Sequence, residues 1–178
     1  METTTRTRAT APAVFGTAFA AVAGDARCRP VAEAIRSHAV EVACLARELA
    51  PLVGADQGTA FAAGLLHDIG ELLLMHRDPA GYLALLAERL PHGERLRREK
   101  ALYDTDHALL GAEHLLELRM PDPVADAVAD HHDPFMSSAA TTVVVSAADE
   151  LLGVDAVRRH SVRLLDIDGT VSPGHSEP

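Results

Sequence analysis

Aromatic residues and cysteines are scarce in this sequence. It contains no tryptophan, two tyrosines, four phenylalanines and two cysteines. Cys28 and Cys44 have no motif spacing with each other or with a histidine. We therefore expect them to be ordinary small apolar residues in a reducing, cytoplasmic compartment.

Basic residues and long apolar runs are scarce as well. The 16 Lys and Arg residues are outnumbered by 26 Asp and Glu, and the resulting net charge of −10 argues against nucleic acid as a partner. No segment approaches the roughly 18 apolar residues of a membrane span, so no membrane association is expected. Arg6 and Arg8 precede an apolar stretch over residues 11–24 that resembles a secretory signal, but it lacks a leucine run and a clean cleavage site, and export is not expected.

Alanine and leucine dominate the apolar residues, and this composition favours helix over sheet because both lose little free energy on entering a helix. A chain of 178 residues is long enough for one domain with a sizeable core. We predict a single compact all-α domain over residues 11–165, with about six to eight helices. Residues 1–10 are predicted to be a disordered N-terminus and residues 166–178 a flexible tail.

Apolar periodicity locates the helices. It predicts helices over about 12–23, 30–52 and 57–76, one opened by Asp78-Pro79, one bearing His107, a short one before His131, and a last one through Leu152. Asp56 and Asp78 are predicted N-caps, and Ser137 or Ser138 is predicted to cap the last helix. The β-branched run 141–145 could be a strand, but the apolar spacing around it favours helix.

Histidines and aspartates recur along these helices in a spaced series. The series is His38, His67, Asp68, His107, His131, His132 and Asp149. Imidazole and carboxylate groups bind Mn, Fe, Zn or Mg, and charged groups are rarely placed in apolar helices without a partner. We therefore predict that these side chains converge on one or two divalent metal ions in a shared pocket.

The order and local context of this series resemble the HDOD family, within the HD superfamily of metal-dependent phosphohydrolases. The resemblance covers about residues 20–155 and implies that the all-α domain is of the HD type. It rests on the segments Ser37–Ala43, Gly64–Gly70, Thr105–Ala112, Met120-Pro121 and Asp130–Pro134. Several motifs in the same order are more specific than a single His-Asp pair.

The resemblance implies a function and a division of the ligands. A first metal site would be formed by His38, His67, Asp68 and Asp149. His107, His131 and His132 would be the additional ligands of a binuclear site, with Asp68 as the bridging and catalytic residue. Such a site activates water for attack on phosphorus. The implied activity is hydrolysis of a phosphoester or nucleotide-type substrate, such as a phosphorylated small molecule.

Glu71 motivates an alternative without catalysis. It follows the His-Asp-Ile-Gly run at a position where many HD phosphodiesterases have lysine, and it lies four residues after His67. A carboxylate on that helical face would repel a phosphate. The alternative is an HDOD-type signalling or scaffold module in bacterial signal transduction, with a signalling protein or a second copy of the chain as partner.

Other polar residues have simpler interpretations. A basic cluster with interleaved acids is predicted to be a solvated helix or loop, with phosphate contact as the alternative; it comprises Arg95, Arg97, Arg98 and Lys100 with Glu94 and Glu99. Asp106 and Asp130 flank predicted ligands and either orient their rings or cap helices. His92 has no partner in the pattern and is predicted to be solvated.

Overall fold

The computed structural model describes the backbone of residues 9–133 and 139–165 and the side chains of residues 9–133 and 139–152. Within these residues the ordered elements are all helices, which confirms the all-α prediction. In chain order they are α1 (Ala11–Ala23), α2 (Arg29–Leu49), a short 3-10 helix (Ala50–Val53), α3 (Gln57–Leu66), α4 (Ile69–Arg77), α5 (Pro79–Ala87), α6 (His92–Tyr103), α7 (His107–Glu117), α8 (Asp122–Asp130) and α9 (Ala140–Leu165). The run 141–145 is helical, as its apolar spacing predicts.

Helices α2, α3 and α9 pack closely because small residues line their contacts. On α2 the buried face is mostly alanine and valine, repeating at helical spacing: Ala32, Ile35, Ala39, Val42, Ala43 and Ala46. A Cβ at Gly64 of α3 would lie 2.8 Å from the Cα of Ala43, so only glycine allows this approach. The close packing brings the end of α3 beside the middle of α2 and the buried side of α9.

The helix predicted over residues 57–76 is wrong in one respect, because it is interrupted at its centre. His67 and Asp68 form a turn between α3 and α4, and Asp68 has φ −101° and ψ 17°. Consecutive residues of a continuous helix point about 100° apart, and the turn removes that constraint. Both side chains can then face one pocket.

Close packing also joins α4 to α7. A Cβ at Gly70 would collide with the backbone carbonyl of His107, so α7 begins directly against the first turn of α4. This contact places His107 next to the turn that carries Asp68.

The polar segment before His107 differs from its prediction. It forms α6, but two of its side chains turn inward rather than toward solvent. Glu99 is completely buried, and Arg95 exposes only 21% of its side chain. The physical reason is that each finds an ionic or hydrogen-bonding partner on α4 or α7, as described below.

Three aspartates cap helices. Asp56 accepts a hydrogen bond from the backbone N–H of Thr59 at 2.8 Å, and Asp78 accepts one from Gly81 at 3.0 Å, which confirms both predicted caps. Asp106 caps α7 in the same way.

Some predictions fall outside the described residues. They concern residues 1–8, the capping Ser137 or Ser138, and the tail over 166–178, and they stay predictions. Both cysteines are free thiols, Cys28 buried and Cys44 partly so. Among the described helices, none combines the length and the apolar character needed to cross a membrane.

Candidate metal centre

The structure brings all the predicted ligand residues together where α2, α7, α8 and α9 meet the α3–α4 turn. They form two groups, and within each group one ligand atom per residue lies within 4.8 Å of the others. The first group consists of His38, His67 and Asp149; the second group consists of Asp68, His107, His131 and His132.

The first group joins distant parts of the chain. The Nε2 atom of His38 on α2 lies 2.8 Å from Oδ1 of Asp149 on α9, across 111 residues of sequence. The Nε2 atom of His67 lies 3.7 Å from the same oxygen. His38 and Asp149 expose 19% and 23% of their side chains, so this group opens toward solvent.

The second group contains two buried histidines, His107 and His131, while Asp68 and His132 are partly exposed. His107 is the first residue of α7, and His131 follows the last residue of α8. Neither exposes any of its side chain. The Nε2 atoms of His107 and His132 lie 2.8 Å apart.

Asp68 faces both groups, one oxygen to each. Its Oδ2 atom lies 3.1 Å from Nε2 of His67 in the first group. Its Oδ1 atom lies 3.6 Å from Nε2 of His107 and 3.6 Å from Nε2 of His131 in the second group. This carboxylate therefore lies between the two sets of imidazoles.

Backbone carbonyls orient two of the rings. The Nδ1 atom of His67 lies 2.8 Å from the carbonyl oxygen of Gly64, and that of His131 lies 2.7 Å from the carbonyl oxygen of Val128. A carbonyl oxygen only accepts hydrogen bonds, so Nδ1 carries the proton and Nε2 of the neutral ring presents a lone pair. Both Nε2 atoms are buried and have no hydrogen-bond partner among the described residues.

The charges of the site favour a cation between the carboxylates. Burial acts to lower the pKa of His67, but Asp68 and Asp149 outweigh it and raise the pKa to about 9. Burial acts to raise the pKa of Asp68, but His67 and neighbouring imidazoles hold that pKa well below its usual range. The same attraction that keeps a proton at His67 would favour a metal ion there.

The residues fit a divalent metal. Ligands bound about 2.0–2.2 Å from one ion lie at most about 4.4 Å apart, close to the spacing found within each group. Imidazole with carboxylate is a donor set that suits transition metals. The unpaired Nε2 atoms of His67 and His131 are the donors that such an ion would satisfy.

Glu99 is a site residue that the sequence did not reveal. One of its oxygens, Oε2, accepts hydrogen bonds from Nδ1 of His107 at 2.7 Å and from the backbone N–H of His107 at 2.9 Å. Its other oxygen accepts from the buried Tyr82 hydroxyl at 3.0 Å. Burial acts to raise the pKa of Glu99, but the hydrogen bonds and charge of His107, together with the charge of Arg95, hold that pKa below its usual value.

The repulsion expected from Glu71 is offset by an ion pair. Oε1 of Glu71 lies 2.6 Å from Nη1 of Arg95, and Glu71 exposes 6% of its side chain. Burial raises the pKa of Glu71, and Arg95 acts in the opposite direction. A phosphate at the metal centre would therefore meet a paired carboxylate rather than an isolated negative charge.

His92 lies at the outer edge of the site, where it is exposed as predicted but is not without a partner. It is exposed overall, but its ring centroid lies 3.6 Å from that of His132. Burial of the ring, with help from Arg95, lowers the pKa of His92 to about 4. The spacing of His92, Arg95 and Glu99 places them on one face of a helix, which is the signal that could have grouped them.

The chain is similar to part of several curated proteins. It is 32% identical to Ribonuclease Y 1 of Pediococcus pentosaceus over 117 residues, which are 66% of this chain and 18% of that protein. It is 31% identical to Ribonuclease Y of Thermus thermophilus over 66% of this chain and 16% of that protein. The matches to these relatives thus span less than a fifth of their length.

A solved structure and a family model also match the chain. A solved structure, "Putative phosphohydrolase" from Shewanella amazonensis, aligns with a TM-score of 0.60 and 26% identity, covering 65% of this chain and 44% of that one. The sequence model of the HDOD domain matches residues 8–134, which include all the predicted ligand residues except Asp149. The chain belongs to the HDOD family.

Proposed function

We propose that this domain is a metal-dependent phosphohydrolase that acts on a phosphoester or nucleotide-type substrate. The observation that carries the proposal is the position of Asp68, whose two oxygens face two separate sets of imidazoles. A carboxylate in this position is suited to bridge two metal ions, an arrangement found in many phosphoester-cleaving enzymes.

In this proposal each ligand group holds one divalent ion. The first group, with Asp68, would bind one ion, and the second group the other. Bound metal would supply Lewis acidity toward phosphoryl oxygens and lower the pKa of water. Mn, Fe, Zn and Mg all remain candidates, because these side chains bind several of them.

The protein's own contribution is orientation and charge. The carbonyls of Gly64 and Val128 fix the rings of His67 and His131, so their lone pairs need no reorganisation on binding. The ionised Asp68 and Asp149 compensate the charge of bound cations. His38 and Asp149 lie at the more exposed side of the centre, where a substrate can approach.

The relatives support a phosphorus ester as the bond that is cleaved. The name Ribonuclease Y denotes cleavage of RNA, and the structural neighbour is described as a phosphohydrolase. The net charge of −10 favours a small ester over a polyanion for this chain. We therefore propose a phosphorylated small molecule or nucleotide as the substrate class.

The test combines metal content with turnover. The purified chain is loaded separately with Mn, Fe, Zn or Mg and offered bis-p-nitrophenyl phosphate, nucleotides and cyclic dinucleotides. We expect metal-dependent hydrolysis that the Asp68→Asn variant lacks. Asp126→Asn on the exposed side of α8 is the matched control and is expected to match the wild type.

The outcome also separates enzyme from scaffold. Wild-type protein that binds metal but shows no more turnover than Asp68→Asn with any substrate would reject the hydrolase and favour a signalling or scaffold module. Such a module is expected to keep its partner binding in Asp68→Asn.

A further inference from the structure

We propose that Glu99 is a positioning residue that makes His107 a metal ligand, so that the second group depends on α6 while the first group does not. The proposal rests on the metal centre of the proposed function. It concerns a residue outside the ligand set, which acts through the ring of His107.

The need for Glu99 follows from where each histidine lies in its helix. His67 follows the last residue of α3 and His131 follows the last residue of α8. Each ring can therefore donate to a carbonyl three residues earlier in its own helix. His107 is the first residue of α7 and has no preceding turn of that helix, so its acceptor must come from elsewhere.

Glu99 supplies that acceptor and accepts two hydrogen bonds from His107. Its Oε2 atom accepts from both Nδ1 and the backbone N–H of His107, which fixes the ring and the start of α7 together. With Nδ1 protonated, Nε2 of the neutral His107 ring carries a lone pair and lies 3.6 Å from Oδ1 of Asp68 and 2.8 Å from Nε2 of His132. A carboxylate behind a ligating imidazole also increases the basicity of the ring.

Glu99 is itself held in place. It is completely buried, and the hydroxyl of Tyr82 donates to its Oε1 atom at 3.0 Å. Nε of Arg95 lies 3.8 Å from the same oxygen and adds a favourable charge. The carboxylate has therefore little freedom to turn away from His107.

The experiment measures binding of Mn²⁺ to each half of the centre in the whole chain. Glu99→Ala and the nearly isosteric Glu99→Gln are compared with wild type by elemental analysis, calorimetric titration and electron paramagnetic resonance. Glu94→Gln removes the same charge from the exposed face of α6 and is the matched control. Circular dichroism establishes that each variant is folded.

We expect wild type to bind two ions whose spins are coupled. Glu99→Ala should keep one ion with near wild-type affinity, bind the second about 10- to 100-fold more weakly, and lose the coupled signal. Glu99→Gln retains a neutral acceptor and should show a smaller loss of the same kind. Glu94→Gln should match wild type.

Wild-type affinity, stoichiometry and spin coupling in both Glu99 variants would overturn the proposal. Equal weakening of both ions would also overturn it, because a merely structural residue has no reason to affect one half alone. If Glu99→Ala does not fold, Glu99→Gln decides the question. Two bound ions without turnover would reject the hydrolase but leave this inference standing, whereas a wild type that binds no metal would reject both.

Discussion

The two groups of predicted ligands differ in their exposure and in how many buried side chains hold them in place. The first group depends on a direct contact between His38 and Asp149, both of which keep about a fifth of their side chains exposed. The second group is enclosed by α4, α7 and α8, and α6 adds Glu99 behind His107. One half of the centre is thus accessible, and the other is fixed by a buried polar network.

In the proposed metal centre, this difference implies a division of roles. Exposed ligands leave room for a substrate, whereas a fully buried and hydrogen-bonded imidazole is held in one orientation. Asp68 belongs to both halves because it contacts His67 with one oxygen and His107 with the other.

The largest effect is expected from Asp68→Ala, which removes the carboxylate that the halves share. Loss of a direct ligand should weaken both ions by more than the roughly 10- to 100-fold typical of supporting residues. Elemental analysis should find less than one ion per chain, and turnover should fall to background. Two ions retained by this variant would contradict the prediction, because Asp68 would then not be a ligand shared by the two groups.

A second prediction compares one ligand from each half. His38→Ala and His131→Ala should each leave one ion bound per chain. His131 is completely buried, so its loss should also lower the free energy of unfolding, by about 2 kcal/mol, as for other large buried side chains. His38→Ala should cost clearly less. Chemical denaturation with a chelator present measures the free energy of unfolding of both variants. Equal losses would contradict the difference in burial between His38 and His131.

A third prediction addresses the ion pair between α4 and α6. Arg95→Met leaves Glu71 buried without its partner and should lower the free energy of unfolding by about 3 kcal/mol. The double variant Arg95→Met with Glu71→Met removes both charges and should recover most of this loss. Chemical denaturation of the single and double variants measures the coupling. Additive losses would show that the pair does not stabilise the docking of α6.

The predicted ligands and the side chains that support them differ in how far they could be predicted from sequence. His67, Asp68 and the other ligands stand in recognisable motifs, because ligand spacing on a helix is a local property. The same local pattern predicted a continuous helix through His67 and Asp68. That prediction was wrong, because the structure has a turn between α3 and α4. Tertiary contacts decide that turn, among them the contact of Gly70 with α7.

The support from α6 could not be predicted in the same way. In the sequence, Arg95 and Glu99 are members of a charged run that is typical of a solvated helix. Their burial depends on partners on other helices, Glu71 and His107, and single-sequence periodicity does not pair distant residues. The only local indication is the spacing of His92, Arg95 and Glu99, which places them on one face of a helix.

The smallest substitution is the addition of a single methyl group at the α4–α7 contact. Gly70→Ala forces a Cβ against the carbonyl of His107 and should lower the free energy of unfolding by about 1–3 kcal/mol. Gly16→Ala on α1 is the matched control; its Cβ meets nothing within 4 Å, so it should raise that free energy by about 0.5–1 kcal/mol. Chemical denaturation measures both. Because His107 starts α7, Gly70→Ala should also weaken binding of the ion in the second group more than binding of the ion in the first group. A larger loss of affinity in the first group would contradict the link between this contact and the second group.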